Sequence, residues 1–257
     1  MMNGANGKKL IARLERASLA FGEKVVLKNC SLDVVEGAIT CIIGLSGAGK
    51  STILRLIDGL LRPNEGKVYV RDVDIAEMSE EQLIAVRQRI SLSFQFAALL
   101  DSLTVGENVA LPLREHSALS DAEIRKQVVD ALDSVGLSHV YDLLPSELSG
   151  GMLKRAGFAR AIVTKPELIL YDEPTTGLDP IVTHLITDTI CKLREKLDGT
   201  AVVISHDLDS IFMMADYIAM LFEGAIIAYD TKENIRKSNN PIVQQFLSGS
   251  EQGPIPI

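Results

Sequence analysis

Leu148-Ser149-Gly150-Gly151-Met152-Leu153-Lys154-Arg155, followed by Leu168-Ile169-Leu170-Tyr171-Asp172-Glu173-Pro174, is the stretch that decides how this chain folds. Ser149 suits a helix N-cap, and Gly150 and Gly151 leave the first backbone N–H groups of that helix open to an approaching anion. The apolar run 168–171 reads as a buried strand whose polar end delivers Asp172 and Glu173 to a sheet edge. In open α/β sheets, metal and water chemistry sits at that edge. Gly177-Leu178-Asp179 closes the stretch, and Asp179-Pro180 starts a further helix.

Upstream, Gly44-Leu45-Ser46-Gly47-Ala48-Gly49-Lys50-Ser51, with Thr52 behind it, matches the Walker A pattern in full. An apolar run at 38–43 precedes it and a helical pattern at 50–61 follows, which is the strand, loop and helix context the pattern requires. The glycines let backbone N–H groups approach α- and β-phosphates. Lys50 supplies a point charge toward the β- and γ-phosphates, and the Ser51 hydroxyl can ligate Mg²⁺.

The 257 residues suffice for one large domain, or a domain with a subdomain. With 47 % hydrophobic and 23 % charged residues the composition is that of a soluble globular protein. The net charge of −8 argues against a nucleic-acid partner, which calls for a basic field. Residues 1–9 lack the apolar run of a signal peptide and read as a loose tail. No window is apolar enough for a spanning helix, so work at a membrane would be peripheral. Cys30, Cys41 and Cys191 show no CxxC spacing, and neither a disulfide framework nor a zinc site is expected.

Between these motifs, residues 10–36 alternate polar and apolar around Phe21-Gly22-Glu23-Lys24 and predict antiparallel β-structure. Phe21, taken alone, reads as a core or hairpin aromatic. Ser79-Glu80-Glu81-Gln82 and Ser120-Asp121-Ala122-Glu123 are capping boxes, and Ile124, Val128, Ala131, Leu132 and Val135 mark one packing face. A strand at 90–94 leads to Gln95, by itself a loop residue. The helix after Asp179 carries Ile181, Leu185, Ile186, Ile190, Leu193 and Leu197, with Gly199 at its end. An apolar strand at 200–205 ends at His206. Residues 216–229 read as a hairpin, and 249–257, with prolines and glycines but no periodicity, as a stretch disordered alone or ordered against a partner.

In this order, the motifs resemble those of the ATP-binding cassette (ABC) ATPases. Residues 148–155 are similar to their signature motif, 168–173 to Walker B, and 177–179 to the D-loop. The resemblance implies an α/β P-loop NTPase of ABC type over 10–247. It has a RecA-like core sheet, an antiparallel β subdomain and an inserted helical subdomain at about 96–160, with tails at 1–9 and 248–257. It implies ATP and Mg²⁺, with Phe21 stacking adenine, Asp172 and Ser51 holding the metal, and Glu173 activating water. Gln95 would be the Q-loop residue near Mg²⁺ and water, and His206 the switch histidine at the γ-phosphate. In an ABC homodimer, Ser149, Gly150 and Gly151 face the nucleotide of the other subunit, and Asp179 sits at the interface.

Met152 departs from the common Gln, and Met cannot donate the amide hydrogen bond. That segment, Asn108-Val109-Ala110-Leu111-Pro112-Leu113-Arg114-Glu115-His116 and the ending Gln245-Phe246-Leu247 with Gly253-Pro254-Ile255 are similar to the MlaF-type ATPases of bacterial phospholipid transport. That likeness implies the cytoplasmic face of the inner membrane, two copies of a permease, a lipid-binding MCE-domain protein and a small STAS-domain subunit. An ATPase for another cargo, a soluble non-transport ABC ATPase, and a small-molecule P-loop kinase are the rival readings.

Overall fold

Residues 7–93 and 98–256 are described by a computed structural model. Strands β1 (Leu10–Phe21) and β2 (Lys24–Val35) form a hairpin, and β3 (Ile39–Ile43) runs toward helix α1 (Lys50–Ile57). β4 (Glu65–Val70) and β5 (Val73–Asp74) follow, then α2 (Glu80–Arg87) and β6 (Ile90–Ser93). Next come α3 (Val105–His116), α4 (Asp121–Ser134) and α5 (Gly150–Ile162). After them, β7 (Leu168–Asp172), α6 (Pro180–Leu197), β8 (Thr200–Ile204) and α7 (Leu208–Met214) alternate. The hairpin β9 (Tyr217–Phe222) and β10 (Ala225–Thr231) leads to α8 (Lys232–Arg236) and α9 (Pro241–Ser248).

Two sheets result. One has the order β10-β9-β3-β8-β7-β6, parallel except for β10; the other is antiparallel, β2-β1-β4-β5. Strand residues alternate between two apolar faces, which is why the central strands read as unbroken hydrophobic runs. Ile39, Cys41, Ile43, Ile169, Tyr171, Ala201 and Val203 face a core shared with α5, α6 and the helical insertion. Ile42, Leu168, Leu170, Val202 and Ile204 face a second core beneath α1 and the antiparallel sheet. The RecA-like sheet, β subdomain and helical insertion are thus all present. Phe158 of α5 meets Tyr171 of β7 edge to face at 5.1 Å, which seats the signature helix on the sheet.

Both capping boxes form, at Ser79 with Gln82 and at Ser120 with Glu123. Four local expectations change. Helix α1 ends at Ile57, not Leu61, because Asp58 caps it and Gly59 turns left-handed at φ 69°, so Leu60 and Leu61 lie outside the helix. At the end of α6 the left-handed residue is Asp198, with φ 47°, rather than Gly199. In α6, Ile186, Ile190 and Leu193 are buried, whereas Ile181 is 83 % and Leu185 42 % exposed. The segment 249–255, expected to be loose or partner-ordered, folds back on its own domain. Gln245, buried on α9, donates to the carbonyls of Ser250 and Ile255 (3.2 and 3.3 Å) and accepts from the Ile255 N–H (2.7 Å). Ile255 itself enters the core.

Asp58 is buried beside Arg87, whose guanidinium donates to the carbonyls of Asp58 and Gly59. Burial pushes its carboxyl up to about 6, and the Arg87 charge offsets this only partly. A carboxyl raised in the folded state binds its proton more tightly there than in the unfolded chain. Its ionisation therefore costs stability as pH rises from the ordinary carboxylate range through about 6. Asp58→Asn is expected to stabilise the protein by about 1–3 kcal/mol at pH 7.5, and by nothing below about pH 4. Thermal melts at the two pH values check this, and a gain of equal size at both would discard the ionisation explanation.

Candidate functional site

The carboxyl-terminal ends of β3, β8 and β7 carry the site. Register aligns Ile42 with Ile204 and Ile204 with Asp172, so the chain leaves the three strands at one edge. Gly44 follows β3, Asp172 ends β7, and Ser205-His206 follows β8. The Q-loop expectation for Gln95, at the end of β6, falls outside the described residues.

The loop after β3 is glycine-built for steric reasons. Gly44 has φ 147°, and a Cβ there would lie 2.2 Å from the Leu221 carbonyl oxygen of β9. Gly49 is the N-cap of α1, left-handed at φ 103°, and no described side chain caps that end. The first-turn N–H groups and the helix dipole are thus presented to an anion. Leu45, Ser46 and Gly47 form the exposed crest, with Ala48 half-buried behind them; the Ala48 N–H bonds the Leu45 carbonyl at 3.2 Å. Thr52 donates its N–H to Gly49 O at 3.1 Å.

Lys50 is 5 % exposed and donates to the carbonyls of Gly44 and Leu45, both at 2.9 Å. Burial pulls its ammonium below the ordinary lysine value, with the charges of Glu173 and Asp172 opposing. A cation held under the loop and short of solvation favours an anionic ligand. Ser51 Oγ donates to Asp172 Oδ1 at 2.9 Å. Burial raises the Asp172 carboxyl against the pull of that hydrogen bond, with Glu173 raising it further. A hydroxyl and an under-compensated carboxylate, side by side, form the hard oxygen donor set that suits Mg²⁺ completed by phosphate oxygens.

Glu173 adopts a left-handed backbone, φ 51°, and its N–H bonds Ile204 O at 3.0 Å. That conformation turns the side chain out of the strand's alternation. His206 Nε2 lies 2.9 Å from Glu173 Oε1, so sequence-distant residues meet here. Sequence reading missed Thr176, whose Oγ1 donates to Glu173 Oε2 at 2.9 Å. It also missed the buried contact of Thr175 Oγ1 with Ser205 Oγ at 3.4 Å, which ties the loops after β7 and β8 together.

Phe21 ends β1 and is 51 % exposed, so it is not a core aromatic. It pairs with Lys24 at the hairpin tip, and the same hairpin packs its Val26 against Gly49. The aromatic ring thus belongs to the element that flanks the phosphate loop.

Ser149 is the N-cap of α5, accepting from the Met152 N–H at 3.4 Å, and Ser149 and Gly150 are exposed. A Cβ on Gly151 would lie 2.6 Å from Val182 Cγ1 of α6, and one on Gly150 3.8 Å from Leu178. Asp179 caps α6 through the N–H groups of Ile181 and Val182, both at 3.0 Å. Two helix starts therefore pack together, with exposed Ile181 beside them. Met152 packs partly buried against the core, filling space where an amide would need a partner.

A phosphate-binding loop, paired carboxylates at the end of the next strand but one, a histidine just after the strand between, and a helical insertion define a cassette ATPase. Residues 27–176 match the ABC transporter family, and the chain belongs to it. It is 42 % identical to the intermembrane phospholipid transport system ATP-binding protein MlaF of Haemophilus influenzae, over 94 % of this chain and 92 % of that one. Identity to the probable ribonucleotide transport ATP-binding protein mkl of Mycobacterium leprae is 37 %, over 92 % of this chain and 68 % of that one. The dimeric post-hydrolysis structure of the cassette MJ0796 bound to ADP and Pi superposes with a TM-score of 0.78. It is 33 % identical, covering 86 % of this chain and 98 % of that one. The protein is therefore an ATP-binding, ATP-hydrolysing cassette of an ABC transporter. Among the described residues, no helix is long and apolar enough to cross a membrane.

Proposed function

We propose that this chain powers phospholipid movement between the inner and outer membranes of a bacterium. It does so as a homodimer held peripherally on the cytoplasmic face under two copies of a permease, with an MCE-domain lipid-binding protein and a small STAS-domain subunit. The likeness to MlaF along nearly the whole of both chains supports this cargo. The ribonucleotide reading draws on a relative of which the matched region covers 68 %.

The site suggests the following division of labour. Phe21 stacks adenine, the loop from Gly44 to Gly49 wraps the phosphates, and Lys50 and the N-terminus of α1 neutralise them. Ser51 and Asp172 hold Mg²⁺, which screens the charge of the phosphate oxygens. Glu173 orients water and takes its proton, while His206, beside that carboxylate, reaches toward the γ-phosphate. Ser149, Gly150 and Gly151 complete the site of the opposite subunit, and Asp179 with Ile181 lies in the contact. ATP closes the dimer because only the closed form touches it from both sides.

Purification of the chain from its native membrane in mild detergent, with mass spectrometry of accompanying proteins and lipids, tests the cargo. A permease, an MCE-domain protein and enriched phospholipid are expected. A different permease without lipid would leave the ATPase standing and remove phospholipid as the cargo.

A further inference from the structure

Thr176 lies exposed on the turn after Glu173. Its Oγ1 donates to Glu173 Oε2 at 2.9 Å, while His206 Nε2 stands 2.9 Å from Oε1. Thr176 belongs to the loop after β7 and His206 to the loop after β8, so the two oxygens of one carboxylate are approached from two sides. The backbone supports the same geometry: the Thr176 N–H reaches Glu173 O at 3.3 Å and the Glu173 N–H reaches Ile204 O at 3.0 Å. Beneath, the buried Thr175 and Ser205 hydroxyls couple the two loops. A glutamate carboxylate on a two-methylene stem samples many rotamers, and the Thr176 hydroxyl bonded to Oε2, with the His206 ring against Oε1, selects among them.

We propose that Thr176 is a positioning residue for ATP hydrolysis: its hydroxyl fixes the Glu173 carboxylate in the orientation from which it meets the attacking water. The inference rests on Glu173 as the water-activating group. Positioning of this kind acts on turnover and leaves nucleotide affinity alone, because the hydroxyl engages Glu173 and not the phosphate loop.

The test is steady-state ATP hydrolysis by the full-length chain, in the assembly with which it copurifies, for Thr176→Val, Thr176→Ser and Thr176→Val combined with Glu173→Gln. Val keeps the branched shape and removes the donor. Thr176→Val is expected to lower kcat about tenfold with KM for ATP within about twofold, and Thr176→Ser to restore most of the rate. On the Glu173→Gln background the same change is expected to cost nothing further, since residues acting as one unit are not additive. Full turnover by Thr176→Val, an equal loss in Thr176→Ser, or the same loss repeated on the Glu173→Gln background would each overturn the proposal. Wild-type hydrolysis by Glu173→Gln alone would instead remove the base assignment, and this inference with it.

Discussion

Glu173→Gln is expected to lower ATP hydrolysis by about 10²–10³-fold while ATP binding changes by less than about threefold. The amide has the shape of the carboxylate, and its oxygen can still accept from the Thr176 hydroxyl, which bonds the native side chain at 2.9 Å. It cannot take a proton from water. The groups arranged around the phosphate loop, Lys50, Ser51 and the N-terminus of α1, are untouched, so affinity survives. ATP then accumulates in a site that closes but does not turn over, and size-exclusion chromatography with ATP should show a dimer peak absent without nucleotide. Unchanged turnover would take Glu173 out of its role.

Ser149→Arg is expected to reduce hydrolysis by at least about 10²-fold with nucleotide binding to the isolated subunit retained. Ser149 is exposed at the start of α5, and its fold-level contribution is one N-cap hydrogen bond to Met152, worth about 1 kcal/mol. Loss of folding therefore does not explain a large effect. A long guanidinium placed on this helix start would occupy the space that the partner's nucleotide needs. Equilibrium binding of a fluorescent ATP analogue, measured beside turnover, separates the two effects. Normal hydrolysis by this variant would show that one chain's site is complete without the other.

The parts of the site legible in the sequence are those whose chemistry is local. Residues 44–51 specify a loop because glycine spacing, backbone N–H exposure and the following helix are all set within one short segment. Asp172 and Glu173 were placed by the end of an apolar run. Thr176 could not be read this way, because its role depends on a rotamer and on a left-handed Glu173, φ 51°, which a sequence pattern does not encode. Helix α1 was read too long because Leu60 and Leu61 continue its apolar rhythm past Asp58, where the backbone has already turned. The opposite error affected α6: Ile181 and Leu185 fit its hydrophobic period but face solvent in the single chain. Periodicity counts apolar residues without knowing whether a core or another subunit covers them. The ordering of residues 250–255 rests on the buried Gln245 amide and on Ile255 in the core, and a composition of prolines and glycines carries no sign of either.

The strand order β3-β8-β7 has a consequence for how the site can vary. The phosphate loop and the carboxylate pair hang on strands that are not neighbours, with β8 between them. Their separation is therefore two interstrand steps, about 9–10 Å, a span dictated by backbone hydrogen bonding. The sheet acts as a fixed ruler that no side-chain substitution can stretch. Adjustment is left to reach alone: the short Ser51 and Asp172 side chains meet at 2.9 Å across the span.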